Sequence, residues 1–185
     1  MFRKVGRVPT LETDRLILRR WNCRDANQLY EYAKNPDVGP HAGWKPHSSV
    51  FESRMIICGL FRRNMTWAIQ EKETDIIVGS IGFEDDKYRS GVNSREMGYS
   101  LSKDYWGRGY MTEAATRLIS YAFEVLKLDI LMIRTGDANI RSRRVIEKCG
   151  FEYEGTLRRA YRIYNGEIRE VRCYSMLREE YFGKP

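Results

Sequence analysis

Two glycines one residue apart stand directly before a long helical pattern, in the stretch Lys103–Ala115, which reads KDYWGRGYMTEAA. Glycine costs conformational entropy, so Gly107 and Gly109 indicate a place where something approaches the backbone closely. The free N–H groups at a helix N-terminus attract anions. The spacing therefore predicts a phosphate-binding loop over residues 107–112, in which Arg108 adds positive charge.

Two common phosphate-binding motifs differ from this loop. A dinucleotide fingerprint requires a third glycine, where this chain has Thr112, and an acidic residue after the next strand, whereas Asp129 precedes it. A P-loop requires Gly-Lys followed by Ser or Thr, which the sequence does not contain, so nucleoside triphosphate hydrolysis is not expected. A plain tight turn stays open as the alternative for the two glycines.

The elements that must position this loop follow from hydrophobic periodicity. Strands are expected at 13–21, 65–71, 76–84, 93–101 and 129–136, and in two tail runs separated by the turn Asn165-Gly166. Four helices are expected: one after Asp25 as N-cap, one after Ser49 as N-cap, one from Met111 to Lys127 and one over 138–150. The second is expected to turn Phe51, Met55 and Cys58 inward. The third is expected to turn inward Met111, Ala115, Leu118, Ala122 and Val125. The order β-α-α-β-β-β-α-β-α-β-β predicts one α/β domain over residues 1–185 with a mixed sheet.

Size and composition limit the class of protein. With 185 residues, 42% hydrophobic and 31% charged, the chain is expected to be a soluble globular domain. No apolar run approaches the roughly 18 residues of a membrane span, and the first residues lack a signal-peptide core, which favours the cytoplasm and no membrane contact. The net charge of +7 fits nucleic acid, an acidic partner or a phosphorylated small molecule, and composition does not choose among them.

The cysteines show no metal-site spacing. Cys23, Cys58, Cys149 and Cys173 are scattered, without a C-x-x-C pair, and His41 and His47 stand apart from them. We therefore expect no metal site and reduced thiols. Cys149 lies beside a helix end and an apolar residue and is expected in the core, not as a nucleophile.

The chain resembles the GNAT acetyltransferase superfamily, and within it the branch of the ribosomal-protein-alanine N-acetyltransferases. The resemblance runs from about Leu11 to Phe182 and is most specific in REMGYSLSKDYWGRGYMTEAA joined to NIRSRRVIEKCGFEYEGTLR. It implies a single-domain GNAT fold of α/β (α+β) class, with a mixed, mostly antiparallel central sheet flanked by helices. It also implies acetyl-CoA as co-substrate, a primary amine as acceptor and no metal.

Site residues also follow from the resemblance. The cofactor-binding residues implied are Tyr99, Leu101, Gly107, Arg108, Gly109, Tyr110, Met111, Thr112, Asn139 and Ser142. Residues 107–112 would bind the cofactor diphosphate, and Asn139 and Ser142 would lie near the pantetheine arm and the thioester sulphur. One of Arg141, Arg143 and Arg144 is expected to touch a phosphate of coenzyme A, with a solvated helix face as the alternative. Tyr105 and Trp106 are expected to pack under the loop, with cover of the cofactor as the alternative.

Two positions depart from the family pattern. Asp104 stands where Gln or Arg is usual, which a loop that binds through its backbone tolerates. Ile146 stands where many relatives carry the Tyr that protonates the leaving thiolate. Ser142 is therefore the candidate to donate a hydrogen bond or proton to coenzyme A.

Acyl transfer to an amine also requires a proton acceptor and a polarised carbonyl. Glu96, on the strand before the loop, is the candidate base, because a carboxylate in a partly desolvated cleft has a raised pKa. Its alternative role is an ion pair with a cation such as Arg95. Backbone N–H groups near residues 98–101 are expected to hold the carbonyl oxygen, with a bulge at Gly98; close packing is the alternative for this glycine.

The acceptor is expected to enter opposite the cofactor, between the loop 40–48, with His41 and Trp44, and the C-terminal hairpin, with Tyr161, Tyr164 and Tyr174. A peptide N-terminus or a neutral small amine is favoured, because a positively charged protein is a poor receptor for a polycation. Two other classes stay open: a catalytically silent acyl-CoA-binding regulatory module, and a basic nucleic-acid-binding protein using residues 158–172, nucleic acid being the less expected partner. A homodimer is a further expectation.

Overall fold

The computed structural model describes residues 8–62 and 64–183, and the elements below are those of this part of the chain. The strands are β1 (Leu11–Glu12), β2 (Leu16–Arg20), β3 (Met65–Glu71), β4 (Ile77–Asp85), β5 (Ser94–Leu101), β6 (Ile130–Gly136), β7 (Glu152–Arg162) and β8 (Ile168–Leu177). The helices are α1 (Ala26–Ala33), α2 (Val50–Ile56), α3 (Tyr110–Ser120), α4 (Ile140–Lys148) and α5 (Arg178–Gly183). Short π-helical turns, Ile57–Phe61 and Tyr121–Val125, extend α2 and α3.

The strands form one sheet in the order β1-β2-β3-β4-β5-β6-β8-β7. Every neighbouring pair is antiparallel except β5 and β6, which run parallel. The parallel pairing extends only from Ser94↔Ile130 to Met97↔Ile133, so the two strands separate beyond Met97. The mixed, mostly antiparallel sheet that we expected is confirmed, and its separated strands open a cleft in the middle of the sheet.

Apolar side chains pack on both faces of the sheet. The larger cluster joins α3 to strands β2–β6, and Ala114, Ala115 and Leu118 of α3 are fully buried in it. Alanine on the inner face lets the helix backbone lie close to the sheet, which fixes where its N-terminus points. The smaller cluster joins α1 and the start of the α2 extension to the opposite face, around Leu29 and Ile57.

The inward face of α2 differs from the expected one. Phe51 and Met55 are 72% and 56% exposed, whereas Ser53 and Ile57 are buried. Residues two apart on a helix lie about 200° apart, so the two stripes occupy opposite faces. The apolar pattern predicted the wrong face because the buried residue Ser53 is polar. Ser53 can be buried because its Oγ lies 2.8 Å from Nδ1 of buried His47. 

Three smaller expectations are corrected as well. Val125 was expected inward but is 60% exposed. It ends the π-helical turn that extends α3, and the wider turn changes which side of the helix faces the sheet. Asp25 holds the N-cap position of α1, but its side chain makes no cap hydrogen bond to the helix. It accepts from Asn22 N and from Arg19 instead, and Asn22 caps the 3-10 turn before α1. Cys23 and Cys58 form a disulfide, with 5.9 Å between their Cα atoms, so the expectation of reduced thiols was wrong for this pair.

Other local signals are confirmed. Ser49 caps α2 by accepting from Glu52 N, and Gly150 ends the α4 region with φ 82°. Asn165-Gly166 turns the chain between β7 and β8. Within the described residues, no helix is long and apolar enough to cross a membrane.

Candidate active site

A cleft of about 1290 Å³ opens where β5 and β6 separate. Its central walls come from four parts of the chain, and residues of the loop after α1, of β4 with the β4–β5 connection and of the C-terminal hairpin complete the lining. The four parts are β5 from Glu96 to Leu101, the glycine loop with the start of α3, β6 from Ile133 to Gly136, and α4 with the residue before it. Most of the residues that the resemblance assigns to the site therefore lie around one volume.

The glycine loop has the backbone that its sequence predicts. Gly107 and Gly109 have φ of 78° and 80°, a left-handed conformation that favours glycine. A Cβ at Gly107 would meet no atom within 4 Å, so open space lies above it. Gly109 is the N-cap of α3 and has no side chain to satisfy the first N–H groups of the helix. The uncapped N–H groups of α3 beside this open space fit an anion, whereas a left-handed glycine with open space alone also occurs in the tight turn at Gly166.

The remaining loop residues divide into two kinds. Tyr110 and Met111 line the cleft although both are largely buried in the core. Thr112 lines the cleft. Arg108 does not line it; its guanidinium carbon lies 5.1 Å from the Tyr105 ring centre. Tyr105 and Trp106 both line the cleft, and Trp106 Nε1 also donates to the Leu101 carbonyl at 2.9 Å, so packing under the loop alone does not describe them.

Residues that the sequence analysis missed hold this loop in place. Arg15 donates from Nε to Glu113 at 2.7 Å and from Nη1 to the Arg108 carbonyl at 3.0 Å. Thr13 donates to the same carboxylate at 2.6 Å. Burial opposes ionisation of Glu113, but the hydrogen bonds from Thr13 and Arg15 outweigh it and hold the pKa of this carboxyl below its usual range. The partners are about a hundred positions apart, so no local pattern could have paired them.

Asn139 and Ser142 are brought to the cleft by the start of α4. Asn139 caps the helix, its Oδ1 accepting from Ser142 N at 3.2 Å. The Ser142 hydroxyl lies 3.0 Å from the hydroxyl of Tyr99 on β5. Burial raises the pKa of Tyr99 above its ordinary value, although the Ser142 contact opposes this, so the phenol stays protonated. Ile146, where many relatives have a Tyr, is buried, so a side chain at this position points into the core.

Glu96 lies inside the cleft with a carboxylate that is only 13% exposed. Its Oε1 accepts from Arg134 Nε at 2.8 Å, and the neighbouring Arg95 pairs with Asp85 instead. Burial raises the pKa of Glu96, and the Arg134 guanidinium opposes part of that rise. The sequence expectation of a partly desolvated carboxylate is thus observed, with a different cation beside it from the one considered.

Backbone N–H groups of β5 near Gly98 are left without a neighbouring strand among the described residues, but a bulge is not the reason. The β4–β5 register is continuous from Gly79↔Leu101 to Asp85↔Arg95, so Gly98 is not a bulge. A Cβ there would meet nothing within 4 Å, so close packing does not explain the glycine either. The alternate N–H groups of residues 98–101 that point away from β4 pair with no strand among the described residues, because the pairing of β5 with β6 ends at Met97.

The loop and the hairpin between which we expect the acceptor to enter both line the cleft, the loop through His41, Ala42 and Gly43 and the hairpin through Ala160 and Tyr161. Arg169 Nη1 donates to the Pro40 carbonyl at 2.7 Å and ties the loop to the hairpin. Three aromatic residues that we expected in the cleft wall do not line it: Trp44 packs on His47, Tyr174 is buried in the core, and Tyr164 lies exposed outside.

Basic side chains of α4 lie at the cofactor end. Arg141 and Arg144 line the cleft and Arg143 does not. The guanidinium carbon of Arg141 lies 4.5 Å from the Trp106 ring centre. Contact between one of these arginines and a phosphate stays a prediction. Burial raises the pKa of the Cys149 thiol to about 11, which leaves it protonated and agrees with a core residue. The described residues contain no cluster of three or more metal-binding side chains.

Comparisons with known proteins identify the family. The family model described as an acetyltransferase (GNAT) domain matches residues 15–152. An uncharacterized N-acetyltransferase, p20 of Bacillus licheniformis, is 32% identical over 181 residues, which cover 95% of this chain and all of that protein. The chain therefore belongs to the GNAT acetyltransferase family and is an N-acetyltransferase. Acetyl-CoA is the co-substrate and an amine is the acceptor that this family implies.

Solved structures show the same fold. A GNAT-family acetyltransferase from Bacillus anthracis matches with a TM-score of 0.83 and 24% identity, over 93% of this chain and all of that one. A ribosomal-protein-S5-alanine acetyltransferase from Vibrio fischeri matches with a TM-score of 0.74 and 22% identity, over 96% of this chain and all of that one. Both have the GNAT fold, as this chain does.

Proposed function

We propose that this N-acetyltransferase acetylates the α-amine of a protein N-terminus, as a ribosomal-protein-alanine acetyltransferase does, with a neutral small amine as the alternative acceptor. One observation carries the proposal: a single cleft is lined both by the left-handed glycine loop and by Glu96, whose side chain is only 13% exposed. The sequence resemblance to that branch and the shared fold of the Vibrio fischeri enzyme support the choice of acceptor.

The charge of the acceptor end favours a single ammonium over a polycation. Glu84 and Glu96 line this end, and so do Lys87 and Arg134. Two carboxylates and two cations nearly cancel at neutral pH, so the cleft offers no acidic groove to a chain of amines. A peptide with one free α-amine suits this balance.

The cofactor end would hold acetyl-CoA through the backbone. The N–H groups of residues 107–112 would bind its diphosphate, and Tyr99, Leu101 and Asn139 would line the path of its arm. The fit rests on the left-handed glycines and the open space above Gly107. When bound, acetyl-CoA supplies the thioester whose acetyl group is transferred.

Each remaining role in the reaction falls to a residue of this cleft. Glu96 would take the proton of the acceptor ammonium, directly or through a water molecule, because a raised pKa makes it a stronger base than an exposed carboxylate. Unpaired N–H groups of residues 98–101 would hold the thioester carbonyl oxygen. The Ser142 hydroxyl, itself hydrogen-bonded to Tyr99, would donate to the leaving sulphur.

The test is turnover on matched acceptors. The purified protein is mixed with acetyl-CoA and a lysine-free peptide that begins with alanine, and release of the coenzyme A thiol is followed. The same peptide with a blocked N-terminus and spermidine are the controls. Turnover on the free peptide alone supports the proposal, and faster turnover on spermidine would contradict it. Binding without turnover on any acceptor would favour the silent module.

Two further expectations stay predictions. A homodimer through the C-terminal strands is checked by the mass of the protein in solution. A cytoplasmic location is checked by fractionation of cells that produce the protein.

A further inference from the structure

Arg134 lies where strands β5 and β6 begin to separate. The last parallel pair is Met97↔Ile133, and Arg134 is the next residue of β6. Glu96 is paired with Met132, so Glu96 and Arg134 lie diagonally on the same face of the sheet. The guanidinium thus spans the opening of the cleft and reaches the carboxylate, with 2.8 Å between Arg134 Nε and Glu96 Oε1.

Arg134 is itself fixed from the other side. Its Nη1 donates to the Tyr88 hydroxyl at 2.6 Å, and its Cζ lies 5.0 Å from the centre of the Tyr88 ring. On the strand side it is paired in register with Cys173 of β8. Only 25% of the side chain is exposed. A guanidinium held by strand, ring and carboxylate keeps one orientation, and so does the carboxylate bound to it.

The charged and titratable groups around Glu96 come from every element packed against it. Glu84 faces it directly across the β4–β5 register, and Asp86 and Tyr88 lie in the following loop. Arg134 faces it from β6, and the Cys173 thiol from β8. Asp86 is already paired with Arg89. Lys87 also lines the cleft, but among the described residues Arg134 is the only cation hydrogen-bonded to Glu96.

The two oxygens of Glu96 are therefore unequal. Oε1 is occupied by Arg134, and Oε2 accepts no hydrogen bond from a described residue. A proton acceptor needs one oxygen free for the incoming ammonium and a carboxylate that is ionised before the ammonium arrives. Burial and the facing carboxylate Glu84 both favour the neutral acid, and Arg134 opposes them.

We propose that Arg134 is a positioning residue for the transfer reaction, which aims Glu96 so that Oε2 faces the acceptor and favours the ionised form of this carboxylate. The inference rests on the proposed role of Glu96 as the base. In the step concerned, the ammonium N–H bond breaks, its electron pair stays on nitrogen, and the proton passes to Oε2. Arg134 then disfavours the neutral acid, so the proton returns to solvent before the next cycle.

The test is the pH dependence of kcat/KM for the alanine peptide in Arg134→Gln, with Arg95→Gln as the matched control. Arg95 is adjacent to Glu96 in sequence but pairs with Asp85. The acid limb of the profile is the pH range in which kcat/KM falls as Glu96 becomes protonated. In Arg134→Gln this limb is expected to move to higher pH, so that kcat/KM at a given acid pH is about tenfold lower than in the wild type, with acetyl-CoA affinity unchanged. Arg134→Lys, which keeps the charge but not the Nε donor, is expected to shift the limb less. Arg95→Gln is expected to match the wild type.

Two results would overturn the inference. One is an Arg134→Gln profile with the wild-type acid limb; the other is a loss of activity by the same factor at every pH, which a structural role alone would produce. If Arg134→Gln does not fold, Tyr88→Phe replaces it, since it removes the hydroxyl that holds Nη1; a smaller shift in the same direction is expected, and an unchanged limb would contradict the inference.

Glu96→Gln separates this inference from the proposed function. If Glu96→Gln keeps the wild-type profile, Glu96 is not the base and both proposals fail. If Glu96→Gln removes the acid limb while Arg134→Gln leaves it in place, only the role of Arg134 is refuted.

Discussion

The hydroxyl groups of Tyr99 and Ser142 lie 3.0 Å apart and join strand β5 to helix α4 across the cleft. Burial keeps the phenol protonated, and its hydroxyl also donates to the Ser142 carbonyl at 3.3 Å, so Tyr99 holds Ser142 through two contacts. The contacts thus fix a hydroxyl at the cleft in a chain whose position 146 is a buried isoleucine.

Replacing Ser142 by alanine is expected to lower kcat by about a hundredfold, the lower end of what a general acid contributes. Tyr99→Phe is expected to lower kcat less, and the double variant to lose less than the product of the two, since the residues are in contact. Steady-state kinetics with the alanine peptide provides the measurement. Tyr153→Phe removes a comparable hydroxyl pair, with Thr156, outside the cleft and is expected to leave kcat unchanged.

Gly107→Ala is expected to weaken acetyl-CoA binding at least tenfold. The added Cβ would project into the open space above the loop, and the left-handed backbone adds a folding cost of about 1–2 kcal/mol. Gly166→Ala is the matched control, because Gly166 is also left-handed with open space but lies in the β7–β8 turn. Calorimetric titration measures the affinity, and thermal unfolding measures the shared cost. Equal affinities in the two variants would refute the loop assignment.

Arg15→Gln is expected to raise the dissociation constant for acetyl-CoA several-fold while kcat at saturation stays near the wild-type value. The substitution removes both the ion pair with Glu113 and the bond to the Arg108 carbonyl that hold the loop. Lys72→Gln is the control, because Lys72 forms a surface pair with Glu12 on the same edge of the sheet and does not touch the loop. A lower kcat with unchanged affinity would place the role of Arg15 elsewhere.

The acid stability of the fold should depend on Glu113. The pKa of Glu113 is lower in the folded chain than in the unfolded one. Its contribution to the free energy of unfolding is therefore complete above the unfolded pKa of about 4.3, and it is lost as the pH falls through the folded pKa. Urea unfolding at pH 7 and at pH 3 measures this. Glu113→Gln is expected to be less stable than the wild type at pH 7 and to lose less stability on acidification. An equal loss in both proteins would contradict the linkage.

Glu84→Gln is expected to move the acid limb of kcat/KM to lower pH, opposite to Arg134→Gln. Removing a facing carboxylate removes a repulsion that raises the pKa of Glu96. The shift should be smaller than that of Arg134→Gln, because Glu84 is exposed and its field is screened by solvent. A shift in the same direction as Arg134→Gln would contradict this electrostatic account.

Local signals predicted much of the fold. Gly107, Gly109 and Asn165-Gly166 were interpretable because each requires a backbone that only a few residue types adopt. Phe51 and Met55 were misassigned because an apolar stripe does not reveal which face of a helix the sheet covers. That face is decided by tertiary packing, here through Ser53 and Ile57.

The candidate site was predictable where the family resemblance gave its residues, and less so where distant elements meet. Arg15, Arg134 and Tyr88 act on residues far away in the chain or on another strand, and no spacing indicated them. The free backbone beside Gly98 was expected for the wrong reason, since it results from the divergence of β6, a property of two strands together.

The most direct test of the account is the pH dependence of peptide acetylation by Glu96→Gln. The variant is expected to bind acetyl-CoA as the wild type does, and to lose at least a hundredfold in kcat/KM for the alanine peptide at neutral pH together with the wild-type acid limb. A Glu96→Gln profile equal to that of the wild type from acid to alkaline pH would show that this carboxylate does not take the proton, and would contradict the account at its centre.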